Sequence, residues 1–244
     1  MSSWPHVRTT LTYTDPMALL ALDGSTEVLC VAVLPLDGRP AMHEQFAGGA
    51  QASAGLLPGM AALMRRAGVD WADVQGVACG HGPGAFTGLR TACAAAQGWC
   101  LARGVPAVAV PSLGLVAQQA RAAQADPEAP LDVAVAVDAR MGQVYAQAWS
   151  WDGTRWQARA APSLHEGNDA GRPGDDGVAL RAGNGWPQAD VSAGMDGRSA
   201  ALAWWALHAW MQGPRLDAAA LMPLYVRDRV ALTTAERRAQ GGLR

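Results

Sequence analysis

Two aspartates stand where a phosphate-handling carboxylate would. Asp23 closes the apolar run LALD and opens the turn Gly24-Ser25-Thr26, and Asp138 closes VAVD ahead of Ala139-Arg140-Met141-Gly142. A carboxylate so placed either binds magnesium together with a nucleotide or accepts the N–H groups of its own turn. Between the two lies GVACGHGPGAFTGLRTACAAAQGWC, Gly76–Cys100, in which glycine and proline crowd the break between a strand-like run and a helix-like one. Glycine at that density lets backbone come close to a nucleotide, a dinucleotide or the rest of the protein. The backbone N–H groups near Gly82, Gly84 and Thr87 sit where a helix begins and suit an anion. Thr87 is equally a natural N-cap.

Residue chemistry narrows these choices. The triphosphatase P-loop needs a lysine after its second glycine, and all nineteen basic residues of this chain are arginine. Gly80-His81-Gly82-Pro83-Gly84-Ala85 satisfies the dinucleotide pattern G-x-G-x-x-A. However, the next strand, VPAVAV, ends in Pro111-Ser112 without the carboxylate that would hold a ribose. The five histidines, His6, His43, His81, His165 and His208, include no pair at i, i+4, and no group of three or four metal ligands is visible. Ser25 and Thr26 have no histidine nearby to act as a base, and G-x-S-x-G is absent. No catalytic residue and no metal site is expected.

Composition bounds the rest. The 244 residues are half apolar, enough for one sizeable core or two small domains, and the net charge of −2 gives no field that draws the whole molecule to nucleic acid. Four cysteines without a C-x-x-C pair suit buried thiols in a reducing compartment, and no apolar run is long enough to span a membrane. A cytoplasmic protein is expected. Residues 1–16 are polar and aperiodic and read as a loose leader, with translation from Met17 as the alternative.

The elements that must position these residues alternate. MALLALDGSTEVLCVAVLPLDG reads as two strands and a turn; Ala50 to Gly68 as a helix with Leu56, Leu57, Met60, Leu63 and Met64 on one stripe; and Gly76 to Gly80 as a strand. Thr87 to Arg103 reads as a slim helix with Ala92, Ala95, Ala96 and Gly98, VPAVAV as a strand, and Ser112 to Gln124 as a helix. LDVAVAVDARMGQVYAQAW then repeats the opening hairpin, so an α/β chain of two similar lobes is expected. After long loops from Ser150 to Ser199, with a strand-like VALRAGNGW inside them, ALAWWALHAWMQG reads as a helix. The lobes are drawn at 17–116 and 117–232, with a tail at 233–244.

LALDGSTEVLCVAVL, GPGAFTGLR with AQGW, DARMGQVY and LMPLYVRDRVA together resemble the bacterial TsaB (YeaZ) family over about residues 18–232. The resemblance implies a duplicated, two-lobed actin-like (ASKHA, ribonuclease H-like) fold and a part in making threonylcarbamoyladenosine beside the tRNA anticodon. It also implies a heterodimer with the catalytic paralogue TsaD, addition of TsaE in a larger complex, indirect or weak contact with tRNA, and a homodimer when the chain is alone. No cofactor is required on this reading, and ATP or ADP binding at Asp23, Ser25, Thr26, Gly82, Gly84, Thr87 and Asp138 is the minor expectation. The paralogue's paired-histidine motif has no counterpart in SLGLVAQQARAA, and His165-Glu166-Gly167 is only a fragment of it. The partner surface is placed on helices 53–67 and 87–103, with Leu56, Met60, Leu63 and Met64 on the first and Arg90, Ala92, Ala95, Ala96 and Trp99 on the second. Arg227, Arg229, Arg237 and Arg238 are read as a solvated tail, diluted by Asp228 and Glu236. Gly24, where many members carry threonine, is expected to loosen the first turn. The competing reading is an ATP-dependent kinase or hydrolase that uses Asp23 and Asp138.

Overall fold

The computed structural model describes residues 17–48, 51–167, 180–192 and 196–226. The leader 1–16, the arginines from Arg227 onward and the tail 233–244 lie outside the described residues. The first sheet joins β1 (Ala18–Asp23), β2 (Val28–Pro35), β3 (Met42–Ala47), β4 (Val74–Gly82) and β5 (Ala107–Pro111) in the order β3-β2-β1-β4-β5. β1 runs antiparallel to β2 and parallel to β4, and β5 extends the parallel side. The second sheet joins β6 (Leu131–Arg140), β7 (Gln143–Trp151), β8 (Trp156–Ala158) and β10 (Leu180–Ala182) in the order β10-β6-β7-β8, and β9 (Ser163–Glu166) also pairs with β7. β6 is antiparallel to β7 and parallel to β10, as β1 is to β2 and β4. This repeated plan is the duplicated, two-lobed actin-like fold.

Four helices complete the layers among the described residues: α1 (Ala52–Ala67), α2 (Phe86–Arg103), α3 (Ser112–Ala122) and α4 (Arg198–Gln212). Strand alternation gives the first sheet two apolar faces. Leu20, Leu22, Val31, Val33 and Cys79 meet α1 and α2 on one side. Leu19, Ala21, Ala32, Leu34, Val108 and Val110 meet α3, α4 and the inner face of the second sheet on the other. α4 comes from the second half of the chain yet lies across β1, β2 and β5 of the first sheet. The middle layer is thus shared: Trp205 donates its indole N–H to Gly114 O at 2.7 Å, and Trp156 donates to Gln118 Oε1 at 2.9 Å. No helix among the described residues is long and apolar enough to cross a membrane.

α1 ends as read, with Gly68 in the left-handed region at φ 60° and its N–H on Arg65 O. Three readings need correction. α2 begins at Phe86 and its N-cap is Ala85, so Thr87 is the second helical residue and caps nothing. β3 was not expected, because MHEQFA is an edge strand with mixed burial and so lacks a clean apolar pattern. Gly24 does not loosen its turn: a Cβ on Gly24 would run into the carbonyl of Gly88, and one on Gly88 into the carbonyl of Gly24. The two glycines let the first hairpin and the start of α2 touch backbone to backbone.

Gly24→Val should therefore cost about 2 kcal/mol or more in urea unfolding, because neither backbone has room to yield. Gly98 lies in the same helix but a Cβ there meets nothing within 4 Å, so Gly98→Ala should be stabilising by about 0.5–1 kcal/mol. Equal effects of the two substitutions would contradict this contact.

Candidate functional site

The carboxylate of Asp23 is wholly buried. Its Oδ1 accepts the Ser112 hydroxyl at 2.8 Å. Its Oδ2 accepts the Ser25 hydroxyl at 2.8 Å and the Arg198 guanidinium through Nε at 3.2 Å and Nη2 at 3.1 Å. Arg198 Nη2 also donates to Ser25 Oγ at 2.7 Å and to Ser112 O at 3.3 Å. Gly82 N–H donates to Ser112 Oγ at 3.0 Å, so the glycine loop joins the same chain of hydrogen bonds. Four places converge here: the β1–β2 turn, the end of β4, the start of α3 and the start of α4.

The pair has a physical logic. A guanidinium placed at a helix N-terminus faces the positive end of the backbone dipole and is disfavoured there. Arg198 is the first residue of α4 and is only 4% exposed, so the Asp23 carboxylate offsets both that repulsion and the loss of water. Arginine suits the place because its planar fork serves several acceptors at once.

The glycine loop serves this network. A Cβ on Gly80 would strike the Asp23 carboxylate, and one on Gly84 would strike the Ser25 carbonyl. That carbonyl accepts the N–H of Ala85 at 2.7 Å. Thr26 exchanges hydrogen bonds with the Val28 backbone at 3.3 and 3.4 Å. The structure therefore brings together Asp23, Ser25, Gly82 and Gly84, while Thr87 stands exposed on α2.

Asp138 is not the equivalent of Asp23. It is exposed, its Oδ1 accepts the Arg140 N–H at 2.8 Å, and its own N–H donates to Asn184 Oδ1 at 3.0 Å. Arg140 and Met141, at φ 65° and 59°, carry the tight turn, and Arg140 forms an ion pair with Glu27 across the tips of the two hairpins. The duplication repeats the backbone and not the chemistry. His81 is half-buried, and burial lowers its pKa while the Asp23 charge opposes that shift. His165 contacts Ser163 Oγ through Nε2 at 2.8 Å. Among the described residues no three or more His, Cys, Asp or Glu side chains group to hold a metal ion.

The helix residues divide differently from the expectation. Leu56, Met60, Leu63 and Met64 are at most 2% exposed and belong to the core against the first sheet, not to a partner surface. Ala92 and Ala96 are buried on the same side, whereas Ala95 and Trp99 are half-buried and Arg90 is exposed. The outward stripe of α2 is Thr87, Arg90, Ala94, Gly98 and Leu101, at helical spacing, with Leu57 and Pro58 exposed on α1. Sequence reasoning missed Arg198; its only signal is a lone arginine ahead of the apolar run of α4.

Residues 48–168 match the family model described as TsaD: tRNA N6-adenosine threonylcarbamoyltransferase. The chain is 31% identical over 157 residues to the tRNA threonylcarbamoyladenosine biosynthesis protein TsaB of Escherichia coli, covering 62% of this chain and 65% of that one. It is 34% identical over 132 residues to the protein of the same name from Haemophilus influenzae, covering 53% and 52%. The chain thus spans about half to just under two thirds of the curated relatives it matches. The solved structure of YeaZ from Pseudomonas aeruginosa superposes with a TM-score of 0.73 at 31% identity, over 86% of this chain and 99% of that one.

Asp23→Ala would leave the Arg198 charge buried without a counter-charge and should cost about 3–5 kcal/mol in equilibrium unfolding. Asp23→Ala with Arg198→Met should cost clearly less than the sum of the two single changes, and simple additivity would contradict a direct pair. Burial also lowers the pKa of His208. The unfolded chain therefore takes up protons on His81 and His208 first as pH falls through about 6.5. Stability should be full well above that value and decline as pH falls through it in thermal melts, with a shallower decline in His208→Phe.

Proposed function

Because the chain belongs to the TsaB/YeaZ family, we propose that it is the non-catalytic partner subunit required for N6-threonylcarbamoylation of the tRNA adenosine beside the anticodon. It acts by dimerising with the catalytic subunit TsaD and supporting it, with TsaE joining the larger complex. Contact with tRNA is indirect or weak, and the chain pairs with itself when TsaD is absent.

One observation carries the partner role. Of the seven exposed large hydrophobic side chains among the described residues, five lie on α1, α2 and the segment that runs along α2: Leu57, Phe86, Leu101, Met222 and Tyr225. Gln97 Nε2 donates to Leu221 O at 2.8 Å, Arg90 Nε donates to Tyr225 Oη at 2.8 Å, and Arg90 stacks on Phe86 at 3.8 Å. The small Ala94 and Gly98 at the middle of the α2 stripe let a second helix approach closely. An apolar face with small residues at its centre and a fixed aromatic end suits a pair of helices from another chain.

The lack of its own chemistry is supported by the fate of Asp23. Both of its oxygens already accept hydrogen bonds within the protein, so magnesium and a phosphate would have to displace Arg198. On this reading no nucleotide is required in the cleft.

The test is light scattering on the chain mixed with TsaD from the same organism. A heterodimer should form, and Gly98→Arg should weaken it about tenfold or more without lowering the melt of the free chain. Leu63→Ala should do the reverse, lowering stability by about 2–4 kcal/mol with docking retained. Independent elution with and without TsaE and nucleotide would overturn the partner reading.

A further inference from the structure

β4 and α2 bring two thiols face to face. Cys79 lies on the side of β4 that meets α2, Cys93 lies on the buried side of α2, and the Cys79 thiol is within reach of both Cys93 Sγ at 3.8 Å and Gly80 O at 3.6 Å. The other two cysteines stand apart from this pair: Cys30 belongs to the opposite face of the sheet, and Cys100 lies two turns further along α2.

The two members of the pair differ. The hydrogen bond from the Cys79 thiol lowers the pKa of Cys93, with burial opposing it. The same hydrogen bond, followed by burial, raises Cys79. Burial pushes Cys30 up to about 12 and Cys100 to about 11. Cys93 is therefore the one cysteine of the four shifted toward the thiolate, and a second sulfur already lies beside it. Cys93 is 2% exposed, and its chain neighbour Ala94 is exposed on the outer side of α2.

We propose that Cys79 and Cys93 form an oxidisable dithiol, with Cys93 the attacking and Cys79 the resolving thiol, and with a small hydroperoxide as the oxidant. The Cys93 thiolate attacks the near peroxide oxygen and the O–O bond breaks. Cys93 becomes a sulfenic acid, and the leaving oxygen departs as water or an alcohol after taking up a proton. The Cys79 sulfur then attacks the Cys93 sulfur, the S–O bond breaks, and hydroxide leaves as water with the Cys79 proton. The two thiols lose two electrons in all and the peroxide gains them.

A disulfide needs its sulfurs about 2.0 Å apart. From 3.8 Å, the sulfurs must close by roughly 1.8 Å. Side-chain rotation supplies part of this and movement of α2 toward β4 the rest. Gly88, one turn before Cys93, is already against the Gly24 backbone, so α2 cannot move inward evenly along its length. Oxidation should therefore tilt α2 about its Gly88 end. Formation of the disulfide does not depend on the partner reading; only an effect of that tilt on docking would.

The test treats the full chain with hydrogen peroxide, alkylates the remaining thiols in denaturant and maps the tryptic peptides by mass spectrometry. Cleavage at arginine gives Ala67–Arg90, carrying Cys79, and Thr91–Arg103, carrying Cys93 and Cys100; fragmentation separates the last two. The expected product is a Cys79–Cys93 cross-link reversed by dithiothreitol, with Cys30 and Cys100 alkylated. In Cys79→Ser, or in Cys79→Ala should the serine fail to fold, dimedone should label Cys93. In Cys93→Ser no cross-link should form and Cys79 should stay reduced. Cys93 remaining as alkylatable as Cys30, or a cross-link to Cys100 or between two chains, would overturn the proposal.

Discussion

Asp23 and Arg198 stand 175 residues apart in the chain, and burying them together forces four separate elements to end at one place. The ion pair is not a generous source of stability, since two desolvated charges in good geometry roughly offset their own cost. Its consequence is specificity. The first hairpin, the glycine loop, the start of α3 and the start of α4 must all be in register for the two charges and two serine hydroxyls to be satisfied, and any slip leaves a buried charge unmet. The pair thereby ties α4, from the second half of the chain, to the sheet built by the first half.

The same constraint accounts for the glycines. Gly80 and Gly84 leave room for the Asp23 carboxylate and the Ser25 carbonyl, and Gly24 and Gly88 let the hairpin touch α2. A loop whose composition suggests a ligand cradle here admits the protein's own turn. That outcome bears on function. The carboxylate at the end of the first strand is already held by an arginine from the same chain. What the molecule offers to the outside is instead the outward side of α1 and α2, with the segment from Leu221 to Tyr225 fixed along it.

Much of the fold was legible because it rests on local pattern. The strand–turn–strand repeats around Asp23 and Asp138, the stripe of α1 and its stop at Gly68 all follow from periodicity and turn chemistry. The edge strand β3 was not, since MHEQFA lacks a buried face of its own. The site was half legible. Asp23, Ser25 and the glycines were recognisable as a cluster, but Arg198 was not, because no local rule connects a lone arginine to a carboxylate so distant in sequence. The α1 stripe was read otherwise for a different reason. An apolar stripe identifies the face a helix buries, and for α1 that face is used up by its own sheet, so the docking face proposed above lies on the opposite side. In α2, alanine and glycine on every side leave no periodicity from which to tell inside from outside.

Ser25, Ser112 and Arg198 hold the Asp23 carboxylate inside the protein, and the proposed role requires that this carboxylate do no phosphate chemistry. A calorimetric titration of magnesium–ATP into the isolated chain, followed by assay of the same sample for ADP, tests it most directly. Neither saturable heat nor ADP above the buffer control should appear. A one-to-one isotherm with turnover, both lost in Asp23→Asn, would contradict it and put a working nucleotide site where the ion pair now stands.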